Sequence, residues 1–125
     1  LMGIYRLSIE TDFSAAHNLR DYNGECERLH GHNYNVRIVV SGKELDSSGM
    51  LMDFHELKAT SEAALDGLDH QYLNEVEPFD EVNPTTENIA RYVAEEVQGE
   101  LPEKVDIAEV TCWESDKCSV TYIPE

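Results

Sequence analysis

Tyr5, Leu7, Ile9, Thr11 and Phe13 alternate with Arg6, Ser8, Glu10 and Asp12. That period of two predicts a strand with one face buried. Tyr34, Val36, Ile38 and Val40 repeat it against Asn33, Asn35, Arg37 and Val39, predicting a second strand. The stretch between them, roughly 15–29, reads as a polar, ionisable loop, longer than ordinary connections and of the kind that often carries function. Lys43 to Gly49 is turn-like. The period then lengthens. Asp53 with Glu56 forms a capping box, and Phe54, Leu57, Ser61, Ala64, Leu65 and Leu68 keep helical spacing. Asn83-Pro84 opens a second helix with Pro84 at its first position, Ile89, Val93 and Val97 on its apolar stripe, and Gly99 and Pro102 at its end. Two further strands are predicted near 104–113 and 118–123, joined at Ser115-Asp116-Lys117. The order β-β-α-α-β-β predicts an α+β fold, a four-stranded antiparallel sheet with both helices on one face.

Composition narrows the classes of function. A chain of 125 residues, 41% hydrophobic, is expected to form one domain spanning 1–125. It has no apolar run near the roughly 20 residues of a membrane helix. Its first residues lack the pattern of a secretory signal. Three cysteines without framework spacing predict free thiols and a cytoplasmic setting. A net charge of −17 argues against nucleic acid as a partner. With only nine basic residues, an anionic substrate would need a local positive centre, and a bound metal would supply one.

Candidate ligands stand in Cys26-Glu27-Arg28-Leu29-His30-Gly31-His32. His30 and His32, two apart at the entrance to a strand, point to the same face, and Gly31 leaves room for close approach. Three imidazoles with an open fourth position make a catalytic zinc site. His17 lies past the end of the first strand, where an antiparallel neighbour begins, and is the best-placed third ligand. Cys26 has spacing compatible with a fourth, structural ligand, so its role stays open on spacing alone. Cys112 and Cys118 read as small core residues, and His55 as an exposed helix residue.

Five motifs in order carry a resemblance: Phe13-Ser14-Ala15-Ala16-His17, Cys26-x-x-x-His30-Gly31-His32, Leu68-Asp69-His70-x-x-Leu73-Asn74, Asn83-Pro84-Thr85-Thr86-Glu87-Asn88-Ile89-Ala90 and the late Glu114. Together, over about residues 5–122, they resemble the 6-pyruvoyltetrahydropterin synthase and 6-carboxytetrahydropterin synthase family. The resemblance implies the tunnelling fold, assembled as a homohexamer of two stacked trimers with sites between subunits. It implies zinc on His17, His30 and His32, with Cys26 free as a base and Asp69 and His70 as further catalytic groups. The implied substrate is 7,8-dihydroneopterin triphosphate, a small molecule.

The implied roles make chemical sense. Zinc on the side-chain oxygens would acidify the adjacent C–H, and a thiolate at Cys26 would suit its removal. Asp69 beside His70 would orient a ring for proton relay. Glu114 suits the paired N–H donors of an amino-pyrimidine edge. Thr85, Thr86 and Glu87 resemble the family's other pterin contacts, although helix capping explains the same residue types. For the phosphates, Arg28 is the first candidate, ahead of Arg20 and Lys117.

Some family members carry Glu near the Cys26 position and release a different product, and here Glu25 and Glu27 flank Cys26. The short loop and compact length are closer to bacterial carboxytetrahydropterin synthases. The expected product is therefore 6-carboxy-5,6,7,8-tetrahydropterin, with acetaldehyde and triphosphate, at the entry to queuosine-type deazapurine synthesis. 6-Pyruvoyltetrahydropterin is the alternative. A non-catalytic zinc or pterin binder and a closed structural zinc module stand behind them.

Overall fold

The computed structural model describes residues 3–21 and 28–125. Strands β1 (Tyr5–His17) and β2 (His30–Gly42) pair antiparallel along their whole length, Tyr5 opposite Gly42 and His17 opposite His30. Both outrun the alternation that predicted them. Ser14-Ala15-Ala16 offers no large apolar side chain to mark a strand, yet Ala15 is buried and backbone pairing continues to His17. The predicted loop over 15–29 therefore loses its first three residues to β1.

Strands β4 (Asp106–Ser115) and β5 (Cys118–Tyr122) follow the helices, and β4 pairs antiparallel with β2. The two-residue β3 (Gln71–Tyr72) runs parallel to β1 beside Ala15 and Ala16, completing the order β3-β1-β2-β4-β5. The sheet thus has five strands where the sequence predicted four, because two residues are too few to show a period.

Helix α1 spans Phe54–Asp66, and Asp53 caps it by accepting from the His55 N–H at 2.8 Å. Phe54, expected on the apolar stripe, is exposed, and Met52 from the preceding turn joins the core instead. Helix α2 spans Thr86–Gln98, with Thr85 as its cap, accepting from the Asn88 N–H at 3.1 Å. Pro84 therefore precedes the cap and is not the first helical residue. The threonine hydroxyl can receive an orphan N–H, which proline cannot do.

Alternate residues Phe13, Tyr34, Val36, Ile38, Val110 and Cys112 bury one sheet face against Leu57, Leu65, Ile89, Val93 and Val97 of the helices. The α+β expectation, with both helices on one face, holds. Cys112 is in that core, where burial pushes its thiol up to about 12. Cys118 is exposed, contrary to expectation, at the turn that joins β4 to β5. His55 is exposed, as predicted. Among the described residues, no helix is long and apolar enough to cross a membrane.

Candidate metal centre

The β1–β2 register brings the histidines together. His17 and His30 are direct cross-strand partners, and His32 lies opposite Ala15. Side chains two apart share a face, so all three imidazoles converge where β1 ends and β2 begins. Ring centroids lie 4.6 Å apart for His17 and His30, 5.2 Å for His17 and His32, and 4.6 Å for His30 and His32.

Backbone carbonyls orient two of the rings. His17 Nδ1 lies 2.8 Å from the Pro84 carbonyl, and His30 Nδ1 lies 2.8 Å from the Arg28 carbonyl. A carbonyl only accepts, so each Nδ1 must carry the proton, and a neutral ring then presents an acceptor at Nε2; the Tyr34 hydroxyl also lies 3.2 Å from His17 Nδ1 and 3.4 Å from its Nε2. These two Nε2 atoms stand 3.0 Å apart. Two lone pairs facing at that distance repel unless a cation or proton lies between them.

A proton is a poor answer, since burial pushes the pKa of His17 down, with the neighbouring His30 and His32 acting in the same direction. His17 is only 1% exposed. His32 Nε2 is 2.9 Å from Glu114 Oε1, but the approach is not aligned as a hydrogen bond, leaving this buried nitrogen without a hydrogen-bond partner among the described residues. The ligand atoms of His17, His30, His32 and Glu114 all lie within 4.8 Å of one another. A fixed tautomer, an orphaned nitrogen and a nearby carboxylate are what a divalent metal ion requires of its ligands and their supports.

Glu114 reaches this cluster because Val110, Cys112 and Glu114 alternate along β4 onto the helix side of the sheet. Sequence reasoning placed it with the substrate. Its position among the imidazoles depends on the pairing of β4 with β2, Val36 opposite Cys112, which no local pattern shows. Thr86 Oγ1 is 3.4 Å from Glu114 Oε2, tying the start of α2 to the site. Thr85 is the helix cap, and Glu87 is exposed.

Asp69 and His70 lie on the outer side of β1. The Ser14 N–H donates to Asp69 Oδ1 at 2.9 Å, and the His70 N–H donates to the Ser14 carbonyl. Those bonds hold His70 at φ 59°, the left-handed region, which is costly for a residue with a side chain. His70 Nδ1 is 3.1 Å from Asp69 Oδ1, and its ring is 82% exposed. The Ser14 N–H and then His70 hold the Asp69 carboxyl below its ordinary range. His70, Tyr72, Gly31 and His32 share a cleft of about 460 Å³.

Gly31 opens onto that cleft, and a Cβ there would meet the Ala15 carbonyl at an ordinary 3.7 Å. Gly31 thus leaves room at the cleft, and a small side chain there would also fit. Arg28 is exposed. The Arg20 guanidinium is committed to the carbonyls of Asn74, Phe79 and Val82. Cys26 lies outside the described residues.

Residues 6–125 match the family model described as 6-pyruvoyl tetrahydropterin synthase. Dihydroneopterin monophosphate aldolase of Pyrococcus furiosus is 37% identical over 117 residues, covering 94% of this chain and 92% of that protein. The 6-carboxy-5,6,7,8-tetrahydropterin synthase of Bacillus subtilis is 39% identical over 102 residues, covering 78% of this chain and 68% of that protein. The structure of Caenorhabditis elegans 6-pyruvoyl tetrahydropterin synthase superposes with a TM-score of 0.83 at 30% identity, over 99% of this chain and 98% of that one.

Proposed function

The chain belongs to the 6-pyruvoyl tetrahydropterin synthase family, and we propose that it is a zinc-dependent lyase acting on the side chain of a dihydroneopterin phosphate. The observation that carries this reading is the convergence of His17, His30 and His32 with the tautomers of His17 and His30 fixed by the Pro84 and Arg28 carbonyls. Three imidazoles suit zinc and leave room for a substrate oxygen. Bound there, zinc would act as a Lewis acid toward the side-chain oxygens and lower the pKa of the neighbouring C–H.

The remaining tasks belong to the chain's own residues. Cys26, four residues before His30 in sequence, is the proposed base, its thiolate accepting the side-chain proton. Glu114 accepts the N–H pair of the amino-pyrimidine edge, with Thr86 steadying the carboxylate. Thr85 and Glu87 flank that contact at the head of α2. Asp69 orients His70, whose exposed ring is free to serve a site completed by a neighbouring subunit of a homohexamer. Exposed Arg28 is the proposed phosphate contact, since Arg20 is already spent on three carbonyls.

The preferred reaction forms 6-carboxy-5,6,7,8-tetrahydropterin from dihydroneopterin triphosphate and water, releasing acetaldehyde and triphosphate in the cytoplasm. A second reading is aldol cleavage of dihydroneopterin monophosphate. It is favoured by the match to nearly the full length of the Pyrococcus furiosus aldolase, against 68% of the Bacillus subtilis enzyme. Zinc-loaded protein incubated separately with the triphosphate and the monophosphate decides between them by product mass. A 6-carboxy product from the triphosphate supports the first, and a shortened pterin from the monophosphate supports the second. A 6-pyruvoyl product would replace both with elimination chemistry, and no turnover of either substrate would overturn the lyase reading.

A further inference from the structure

The chain leaving β1 is held by side chains where a partner strand would otherwise stand. Asn18 and Arg20 lie two residues apart just beyond β1, and an asparagine amide answers each. Asn74 Oδ1 accepts from the Asn18 N–H at 2.9 Å, and Asn74 Nδ2 donates to the Asn18 carbonyl at 2.8 Å. Asn83 repeats the exchange on Arg20, accepting from its N–H at 2.8 Å and donating to its carbonyl at 3.2 Å. The Arg20 guanidinium crosses the same segment, donating to the Asn74 and Val82 carbonyls at 3.3 Å each and to the Phe79 carbonyl. Segment 74–83 is thus tied at both ends, and in the middle, to the residues that follow His17.

Pro84 comes next, and its carbonyl receives the Nδ1–H of His17. Proline has no N–H of its own, so neighbours must fix that carbonyl. On one side stands Asn83, bonded through its side chain to Arg20 and through its carbonyl to Asn88 Nδ2 at 2.8 Å. On the other stands Thr85, the cap of α2. We propose that Asn74, Arg20 and Asn83 form a latch that positions the metal centre, setting the Pro84 carbonyl against His17 and thereby turning the Nε2 lone pair of His17 toward the ion. This rests on the metal reading above. The latch residues touch neither metal nor substrate, so they are positioning residues acting through Pro84 and His17. With the latch opened, the carbonyl drifts, and the buried imidazole samples the other tautomer, with its proton on Nε2.

Changes to groups that orient a metal-binding histidine typically weaken affinity about 10–100-fold. Zinc affinity of the full chain, measured by chelator competition, should fall within that range for Asn83→Ala and by a smaller factor for Arg20→Lys, which keeps the charge but loses the fork. Asn83→Asp, which keeps the acceptor for the Arg20 N–H, should recover part of the loss. Asp46→Ala is the control: its carboxylate accepts from the Ser48 and Met50 N–H groups in the turn between β2 and α1, so it disturbs folding without reaching His17. It should bind zinc as the parent does. Nitrogen-15 spectra of the metal-free protein provide the second readout: His17 should be the Nδ1–H tautomer in the parent and a mixture in Asn83→Ala. If Asn83→Ala does not fold, Arg20→Lys carries both measurements. Folded variants with parental zinc affinity and a pure Nδ1–H tautomer would overturn the latch. A parent that binds no zinc would overturn the metal reading instead, and the tautomer would still decide the latch.

Discussion

At one end of the β1–β2 ladder Tyr5 faces Gly42, and at the other His17 faces His30. The Gly42 end is filled to its limit. A Cβ on Gly42 would lie 2.5 Å from Leu51 Cδ1 and 2.8 Å from the Lys104 carbonyl, so only glycine fits without movement. At the histidine end two imidazole Nε2 atoms face each other at 3.0 Å, and among the described residues the buried His32 nitrogen has no aligned hydrogen bond. One end is made for packing. The other gathers polar groups in an arrangement that a bound ion would satisfy.

The comparison breaks most sharply at a ligand. His30→Ala should weaken zinc binding by more than the roughly 100-fold ceiling for supporting residues, while leaving the fold intact. Metal analysis after gel filtration reads this, and full zinc in the variant would show that the ligands are elsewhere. Gly42→Ala should do the reverse. Overpacking typically costs about 1–3 kcal/mol, so its denaturation midpoint should fall while zinc per chain is unchanged. An unchanged midpoint would mean that Leu51 moves aside freely.

The pH dependence sharpens the contrast further. The pKa of His17 is lowered from its ordinary 6.5, chiefly by burial, so below that pH the unfolded chain binds a proton that the folded one resists. Metal-free stability should therefore be intact above about 6.5 and fall as pH drops from there toward the lowered native value. Protons compete with zinc for these nitrogens, so zinc affinity should weaken as the pH falls. A metal-free protein equally stable on both sides of that window would contradict the burial argument. The smallest effect belongs to Gly31→Ala. Its Cβ has ordinary room, so stability should stay within about 0.5 kcal/mol of the parent and zinc should be retained.

Much of this was legible in the sequence, for physical reasons that vary by element. Period-two alternation marks β1 and β2, and the end of one beside the start of the next groups His17, His30 and His32. What stayed hidden depends on long-range pairing or on polar side chains acting as backbone. The approach of Glu114 follows from the pairing of β4 with β2, and β3 is too short for any pattern. Asn74 and Asn83 stand in recognisable motifs, but only the fold shows that their amides bind Asn18 and Arg20. The Pro84 carbonyl, which orients His17, is invisible to any reading of side chains.

One zinc ion is proposed among these three imidazoles. Anomalous diffraction at the zinc edge, on crystals of the full chain grown with zinc, tests it most directly. A single anomalous peak per chain is expected within bonding distance of the Nε2 atoms of His17, His30 and His32. A peak held by other residues, or crystals grown with zinc that show no peak at these histidines, would contradict it.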